Sequence, residues 1–327
     1  TVTIVSLYGS YCRPKRRSRY LQISSLAELC LSEQIANQFR ALRPDVELVN
    51  CMTEAEFVES LPDADAVSVW VFKQEWFALA PKLKLLCTPA AGRDYFSVVP
   101  PSSVQLKYGS FHGPIMAETV LGMVIGMSHR LLQNATAMRA DNDNQEAKAW
   151  PRDAFTGYAT RCYKKHAIIL GFGSIGSEVG RMLKGIGCRI TGVKRNIDAK
   201  PSWFDEEDRL VTLDALSPLL PSVDHVICVL PSDTGAIHVI NKEFLEQLPP
   251  TAFVYNVGRG FSIDEAALAE ALNAGKIAGA VLDVFEKEPL SVDSPLRAAK
   301  NCYLYPHVSA VSPDYLSLYF ADLAKEL

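Results

Sequence analysis

The chain lacks any run of the ~18 to 20 apolar residues that a membrane-spanning helix needs. Its best candidate, residues 115–127, is too short and contains Glu118. It also lacks long runs of one charge, and the formal net charge is −4. The only basic concentration, Arg13 to Arg19, is short and local, so it reads as a solvated loop and not as a nucleic-acid face. None of the eight cysteines (Cys12, Cys30, Cys51, Cys87, Cys162, Cys188, Cys228 and Cys302) forms a C-x-x-C pair, and no metal-ligand spacing is present. Several sit in apolar runs, which predicts buried free thiols in a reducing compartment such as the cytoplasm. The opening Thr-Val-Thr-Ile-Val-Ser-Leu has no basic segment with a cleavage site and reads as a strand. Internal repeats and low-complexity segments are absent as well. Neither a membrane nor a nucleic-acid partner is expected.

What is present is an ordinary globular composition, 48% hydrophobic and 21% charged over 327 residues, enough for two cores. Short apolar runs at 2–7, 46–49, 66–71 and 83–87 alternate with helical patterns at 32–42 and 54–61. A second alternating series starts at His166, with strands expected at 167–170, 189–193, 226–230, 252–256, 278–282 and 302–305. Such alternation predicts an α/β fold of two doubly wound parallel sheets. The second unit is inserted in the first if the chain after His307 returns to the N-terminal unit. The expected boundaries are 1–112 with 306–327, and 113–305. Between the series, Pro114 opens an apolar helix expected over 115–133, with Gly122 and Gly126 on one face for close packing. Residues 141–153 read as a polar arm.

The strongest local signal is Gly171-Phe172-Gly173-Ser174-Ile175-Gly176. A buried strand enters it and a helical pattern over 174–185 leaves it. In that context the first glycine permits a tight turn, the second lets backbone approach a pyrophosphate, and the third lets helix and strand pack closely. The helix N-terminus then offers N–H groups and a positive dipole end to phosphates. An NAD site usually carries an acid at the end of the next strand. Here that strand ends in Lys194 and Arg195, and Asp198 comes only later. Two cations favour a 2′-phosphate, so NADP is the expected cofactor, with NAD as the alternative. A solvated basic loop is the competing reading.

Three polar residues follow apolar strand patterns: Arg259 after 253–256, Glu288 after 280–283 and His307 after 302–305. In an open α/β sheet the ligand crevice lies beyond the carboxyl ends of the strands. Flanking Gly258 and Gly260 allow unusual turns around Arg259. The residue types suit reduction of a 2-keto acid. A histidine held protonated by a carboxylate donates a proton to the ketone oxygen, and an arginine fork binds carboxylate or carbonyl.

The stretches Asn256-Val-Gly-Arg-Gly260, Leu282-Asp-Val-Phe-Glu-Lys-Glu-Pro289 and Pro306-His307, downstream of the glycine motif, resemble the D-isomer-specific 2-hydroxyacid dehydrogenase family. The resemblance covers about 165 to 310 and is weaker before 110. It implies that Arg259 binds substrate, that His307 is the acid/base with Glu288 as its partner, and that Asp283 holds the nicotinamide carboxamide. It also implies that Leu230, Pro231 and Val257 lie at the nicotinamide end. Ala91 and Gly92, in a loop similar to the family's glycine loop, would bind the substrate carboxylate through backbone N–H groups. The helix from Pro114 would begin the cofactor domain and contribute to a homodimer. Glyoxylate and hydroxypyruvate are the implied substrates. Some relatives act as dinucleotide-sensing corepressors, which is the alternative function. Formate dehydrogenase is disfavoured, because that resemblance calls for glutamine at Glu288. Lys194 departs from the family's usual acid, and the segment 109–114 lacks its frequent asparagine. His112 there is read as structural, or as touching substrate or partner, and Trp70 and Phe72 as pocket or aromatic core.

Overall fold

Parallel strands covered on both faces must be apolar at nearly every position, and that pattern organises both halves of the chain. The computed structural model describes residues 2–7, 31–140, 159–197, 200–232 and 234–327. They divide into two units, Thr1–His112 with Val311–Leu327, and Gly113–Ala310. The basic cluster at 13–19, the polar arm at 141–153 and Asp198 lie outside the described residues.

The first unit contains β1 (Val2–Leu7), α1 (Glu33–Leu42), β2 (Val46–Cys51), α2 (Glu54–Ser60), β3 (Ala66–Val69), β4 (Leu85–Thr88) and β5 (Gln105–Tyr108). The strands are parallel in the order β2-β1-β3-β4-β5, a doubly wound arrangement. Ser32 and Thr53 cap α1 and α2 by accepting the N–H of Ile35 and Glu56. Val5, Val67, Val69 and Leu86 pack with Phe57, Leu61 and Trp76 on one face. The C-terminal helix Tyr315–Glu326 packs beside α1, with the rings of Phe39 and Phe320 edge to face at 5.5 Å.

The second unit begins with α3 (Gly113–Ser128) and α4 (Leu131–Ala140). The single helix expected over 115–133 is thus two helices. Arg130 takes a left-handed φ of 54° and breaks the ladder, although no residue there is a strong helix breaker. The close packing expected at Gly122 is also absent: a Cβ there would meet nothing within 4 Å. No helix among the described residues is long and apolar enough to cross a membrane.

The remaining elements are β6 (His166–Leu170), α5 (Ser174–Gly185), β7 (Arg189–Val193), β8 (Arg209–Val211), β9 (His225–Cys228), α6 (Lys242–Glu246), β10 (Phe253–Asn256), α7 (Glu265–Asn273), β11 (Gly279–Leu282) and β12 (Cys302–Leu304). All strands are parallel, in the order β12-β11-β10-β9-β6-β7-β8. Ala167 and Ile169 face α3 and α5 through Val120, Val124, Val179 and Leu183. Their neighbours Ile168 and Leu170 face α6 and α7 through Phe244, Leu245, Leu268 and Leu272. This alternation places one apolar layer on each side of the sheet.

The expected boundary at 305/306 differs from the one observed. Residues 306–310 stay with the second unit because Tyr305 and His307 donate N–H groups to the carbonyls of Leu282 and Asp283, at 2.8 and 2.9 Å. Among the described cysteines, Cys51, Cys87, Cys162, Cys188 and Cys228 are buried and Cys302 is partly buried, all as free thiols.

Two buried histidines lie at the amino ends of central strands. His166 pairs with the Thr191 hydroxyl at 2.9 Å, and His225 with the Tyr255 hydroxyl at 3.1 Å. Burial pushes each down to about 4, with Arg189 adding to the effect at His166. The unfolded chain binds these protons first, near pH 6.5. Their contribution is therefore complete above about pH 6.5 and is lost as pH falls toward 4, by at most about 3 kcal/mol each. Urea unfolding should show declining stability across that window, and His225→Gln should flatten the decline. An equal slope in wild type and variant would remove His225 as a cause.

Candidate active site

The order of the second sheet reverses between β6 and β9, so the loops leaving these strands diverge and leave a crevice. Gly171 follows β6 with φ 93°, and its N–H donates to Val193 O at 3.1 Å. A Cβ there would stand 2.6 Å from Val229 O. A Cβ at Gly176 would overlap the Gly171 carbonyl, so helix α5 can approach the strand only with glycine there. Gly173 differs: a Cβ would meet nothing within 4 Å. As the N-cap of α5 it supplies no side-chain acceptor, so the first-turn N–H groups of Ser174, Ile175 and Gly176 face an open approach. Two glycines are required by packing, and the third borders the space a phosphate would enter.

Beside this turn lies a cleft of about 300 Å³ lined by Phe172, Gly173, Ser174, Ser177, Lys194, Pro201 and Leu210. Lys194 continues β7, with its N–H on Val211 O at 3.1 Å, and exposed Arg195 follows. Apolar walls, a helix N-terminus and a lysine fit an adenosine bearing anionic groups. The sequence reading missed Ser177, Pro201 and Leu210. Pro201 lies in the connection between β7 and β8, and Leu210 joins the cleft when β8 pairs beside β7.

The loop after β9 meets the loop after β10. A Cβ at Gly258 would lie 2.7 Å from both the N and the O of Leu230. Gly260 has no room for a Cβ against the backbone of Phe285. Neither glycine has a positive φ, so the expectation of unusual turns is corrected: close backbone approach is what requires glycine. Asn256 braces the loop, accepting the Gly258 N–H at 3.1 Å and donating to the Arg259 carbonyl at 3.0 Å. The Arg259 side chain is half-buried and donates to Gly258 O at 3.0 Å. Pro231 is exposed, and Leu230 partly so. Val257, implied to line the nicotinamide end, is 3% exposed, and its side chain belongs to the core.

His307 and Glu288 come together at 2.8 Å, Nδ1 to Oε2. The other carboxylate oxygen accepts the Phe285 N–H at 3.1 Å. The Glu288 hydrogen bond raises the His307 pKa above its ordinary value; burial opposes this, and the Glu288 and Asp283 charges add to it against Arg259. Burial alone would raise the Glu288 carboxyl, but the His307 hydrogen bond and charge, the Phe285 N–H and Arg259 outweigh it and bring it below the usual range. The pair therefore favours imidazolium beside carboxylate near neutral pH.

Asp283 is fully buried, and its oxygens accept the N–H groups of Val308 and Ser309, each at 2.8 Å. These bonds shape the turn in which His307 sits at φ 57°. The carboxamide role implied for Asp283 thus falls on a carboxylate already holding backbone.

Ala91 and Gly92 belong to the first unit, in the loop after β4, where Tyr95 N–H donates to Gly92 O at 3.1 Å. His112 is buried, with Nε2 at 2.8 Å from the Tyr315 hydroxyl and its ring stacked on Phe111 at 4.1 Å. Trp70 is buried against Tyr315 and Tyr95, and Phe72 against Trp76 and Phe77. All three are packed aromatic residues of their own unit.

A glycine turn at the switch point of a seven-stranded parallel sheet, with a histidine–carboxylate pair past the same strand ends, defines the class of dinucleotide-dependent α/β oxidoreductases. The family profile described as D-isomer specific 2-hydroxyacid dehydrogenase, NAD binding domain, matches residues 125–309. A glyoxylate reductase of Thermococcus onnurineus is 30% identical over 261 residues, 78% of this chain and 76% of the other. A D-isomer specific 2-hydroxyacid dehydrogenase family protein from Aeromonas salmonicida superposes with a TM-score of 0.74 at 25% identity, covering 99% of this chain and 92% of that one. The Xanthobacter autotrophicus D-isomer specific 2-hydroxyacid dehydrogenase, solved with NADPH and MES, gives 0.72 at 25% identity over 99% and 94%. The chain belongs to the D-isomer specific 2-hydroxyacid dehydrogenase family.

Proposed function

We propose that this chain reduces a small 2-keto acid, of glyoxylate or hydroxypyruvate type, to the D-2-hydroxy acid with NADPH. The observation that carries this reading is the His307–Glu288 pair, 2.8 Å apart, in the same unit as Arg259 and the Gly171–Gly176 turn. The likeness to a Thermococcus glyoxylate reductase and to an NADPH-bound Xanthobacter relative supports it.

When bound, the dinucleotide supplies a hydride to the carbonyl carbon. Gly173, Ser174, Ile175 and Gly176 would hold its pyrophosphate, and Lys194 and Arg195 its 2′-phosphate. Arg259 binds the substrate carboxylate and polarises the ketone through its planar fork. His307 donates a proton from the imidazolium to the ketone oxygen, and Glu288 keeps that proton in place beforehand. Asp283 fixes the turn that aims the imidazole.

Helix α3 also enters the proposal. It is apolar nearly all round, with Leu121 and Ile125 only partly buried, which suits pairing with a second copy.

The test is a panel of 2-keto acids with each cofactor. The expected result is turnover with glyoxylate or hydroxypyruvate, and a kcat/KM for NADPH at least ~10-fold above NADH. Lys194→Ala should cut that ratio severalfold, and light scattering should give twice the chain mass of 36.0 kDa. Equal use of NADH would overturn the cofactor assignment. Tight dinucleotide binding with no turnover would favour a sensing module.

A further inference from the structure

The Glu288–His307 pair depends on loops that the strand ends do not fix by themselves. Residues 229–240 follow β9, 257–264 follow β10, and 283–290 follow β11. The second and third loops touch backbone to backbone where Gly260 meets Phe285. Across that contact lies a second histidine–carboxylate pair. His238 Nε2 stands 2.7 Å from Glu286 Oε1.

Both partners are tied into the loops they join. His238 adopts a φ of 46°, uncommon for a residue with a side chain, and its N–H donates to Phe261 O at 2.8 Å. Two residues on, Ile240 donates to Ser262 O and accepts from Asp264 N–H, both at 3.0 Å. These bonds bind the first loop along the turn that follows Arg259. On the other side, Glu286 N–H donates to Glu265 Oε1 at 2.8 Å, at the start of α7. One residue before it, Phe285 donates its N–H to Glu288. A continuous path thus runs from the Arg259 turn through His238 and Glu286 to the carboxylate on His307.

We propose that His238 and Glu286 form a clasp that positions Glu288 against His307, so that both are positioning residues for proton transfer without touching substrate. The proposal rests on the roles given above to Glu288 and His307. The charged groups around the path are few. Glu286 faces His238 and Glu265, Glu288 faces His307 and Arg259, and His307 faces Glu288, Asp283 and Arg259. His238 and Glu286 are 45% and 41% exposed, and a pair so exposed adds little to global stability. Its worth lies in holding one loop over another. Losing the clasp lets residues 285–288 relax away from His307, and the imidazolium loses the carboxylate that favours it.

The test uses the full chain with His238→Ala, Glu286→Ala and the double variant. The first readout is the titration midpoint of the His307 imidazole by NMR, assigned by its loss in His307→Gln. It needs neither substrate nor cofactor. Each single variant should lower that midpoint by about half to one pH unit, and the double variant by no more than the larger single shift. Thermal midpoints should stay within about 2 °C of wild type. His238→Arg, which supplies an N–H donor toward Glu286, should restore the midpoint. In turnover, the alkaline limb of kcat for reduction should move to lower pH by the same amount. An unchanged His307 midpoint, or single shifts that simply add, would overturn the clasp. Should the wild-type chain turn over no 2-keto acid, the functional reading fails on its own, while the NMR midpoints still decide the clasp.

Discussion

His307→Gln is expected to lower kcat for keto-acid reduction by about 10² to 10⁴, the range over which a positioned general acid acts. Glutamine can still hydrogen-bond Glu288 but has no proton to give. The dinucleotide turn is built from other residues, so NADPH affinity should stay within about twofold. Cofactor fluorescence titration and steady-state kinetics measure the two quantities separately. In wild type, the reduction rate should hold at lower pH and fall as pH rises through the His307 pKa, which Glu288 keeps above its ordinary value. A variant within tenfold of wild-type kcat would take the proton-donor role from His307.

Arg259→Gln should cut kcat/KM for the keto acid by about 10³, close to 4 kcal/mol, because the two charge-assisted hydrogen bonds proposed to the carboxylate and carbonyl would be lost together. Folding should survive. The loop is braced by the Asn256 amide and by the approach of Gly258 and Gly260 to Leu230 and Phe285, to which the guanidinium adds its bond to Gly258 O. Part of the loss should appear as a higher KM, since a carboxylate is bound before and during reduction alike. An unaltered KM together with an unaltered kcat would mean that Arg259 does not meet the substrate.

The central strands and the dinucleotide turn were legible because their physics is local. A strand buried on both faces is continuously apolar, and β7 and α5 fall at the expected residues, Arg189–Val193 and Ser174–Gly185. The edge strands β5 and β8 were not legible. Gln105–Tyr108 and Arg209–Val211 are short, partly exposed and carry charge, so they lack that pattern. The break at Arg130 escaped for a related reason: tertiary packing decides where an apolar helix without glycine or proline at that point turns.

The site divided in the same way. Residue types at strand ends brought Arg259, Glu288 and His307 forward, and the structure joins Glu288 and His307 directly. Side-chain partners were beyond reach of the sequence. Asp283 reads as a ligand-facing acid, and the sequence gives no sign that its oxygens also hold the N–H groups of Val308 and Ser309. Val257 reads as a residue of the nicotinamide end, and the sequence does not show that its side chain lies in the core. His238 carries no strand-end signal and is near Glu286 only because two loops cross.

The histidines at opposite ends of the second sheet bound the conditions under which the chain can work. His166 and His225, at the amino ends, are held toward the neutral ring by burial, so acid weakens the fold. His307, past the carboxyl ends, is held toward the charged ring, so on the proposed mechanism alkali would remove the proton that reduction consumes. On that mechanism the lower limit of the operating range would be structural and the upper limit chemical. Substitutions at one end of the sheet should move one limit without moving the other.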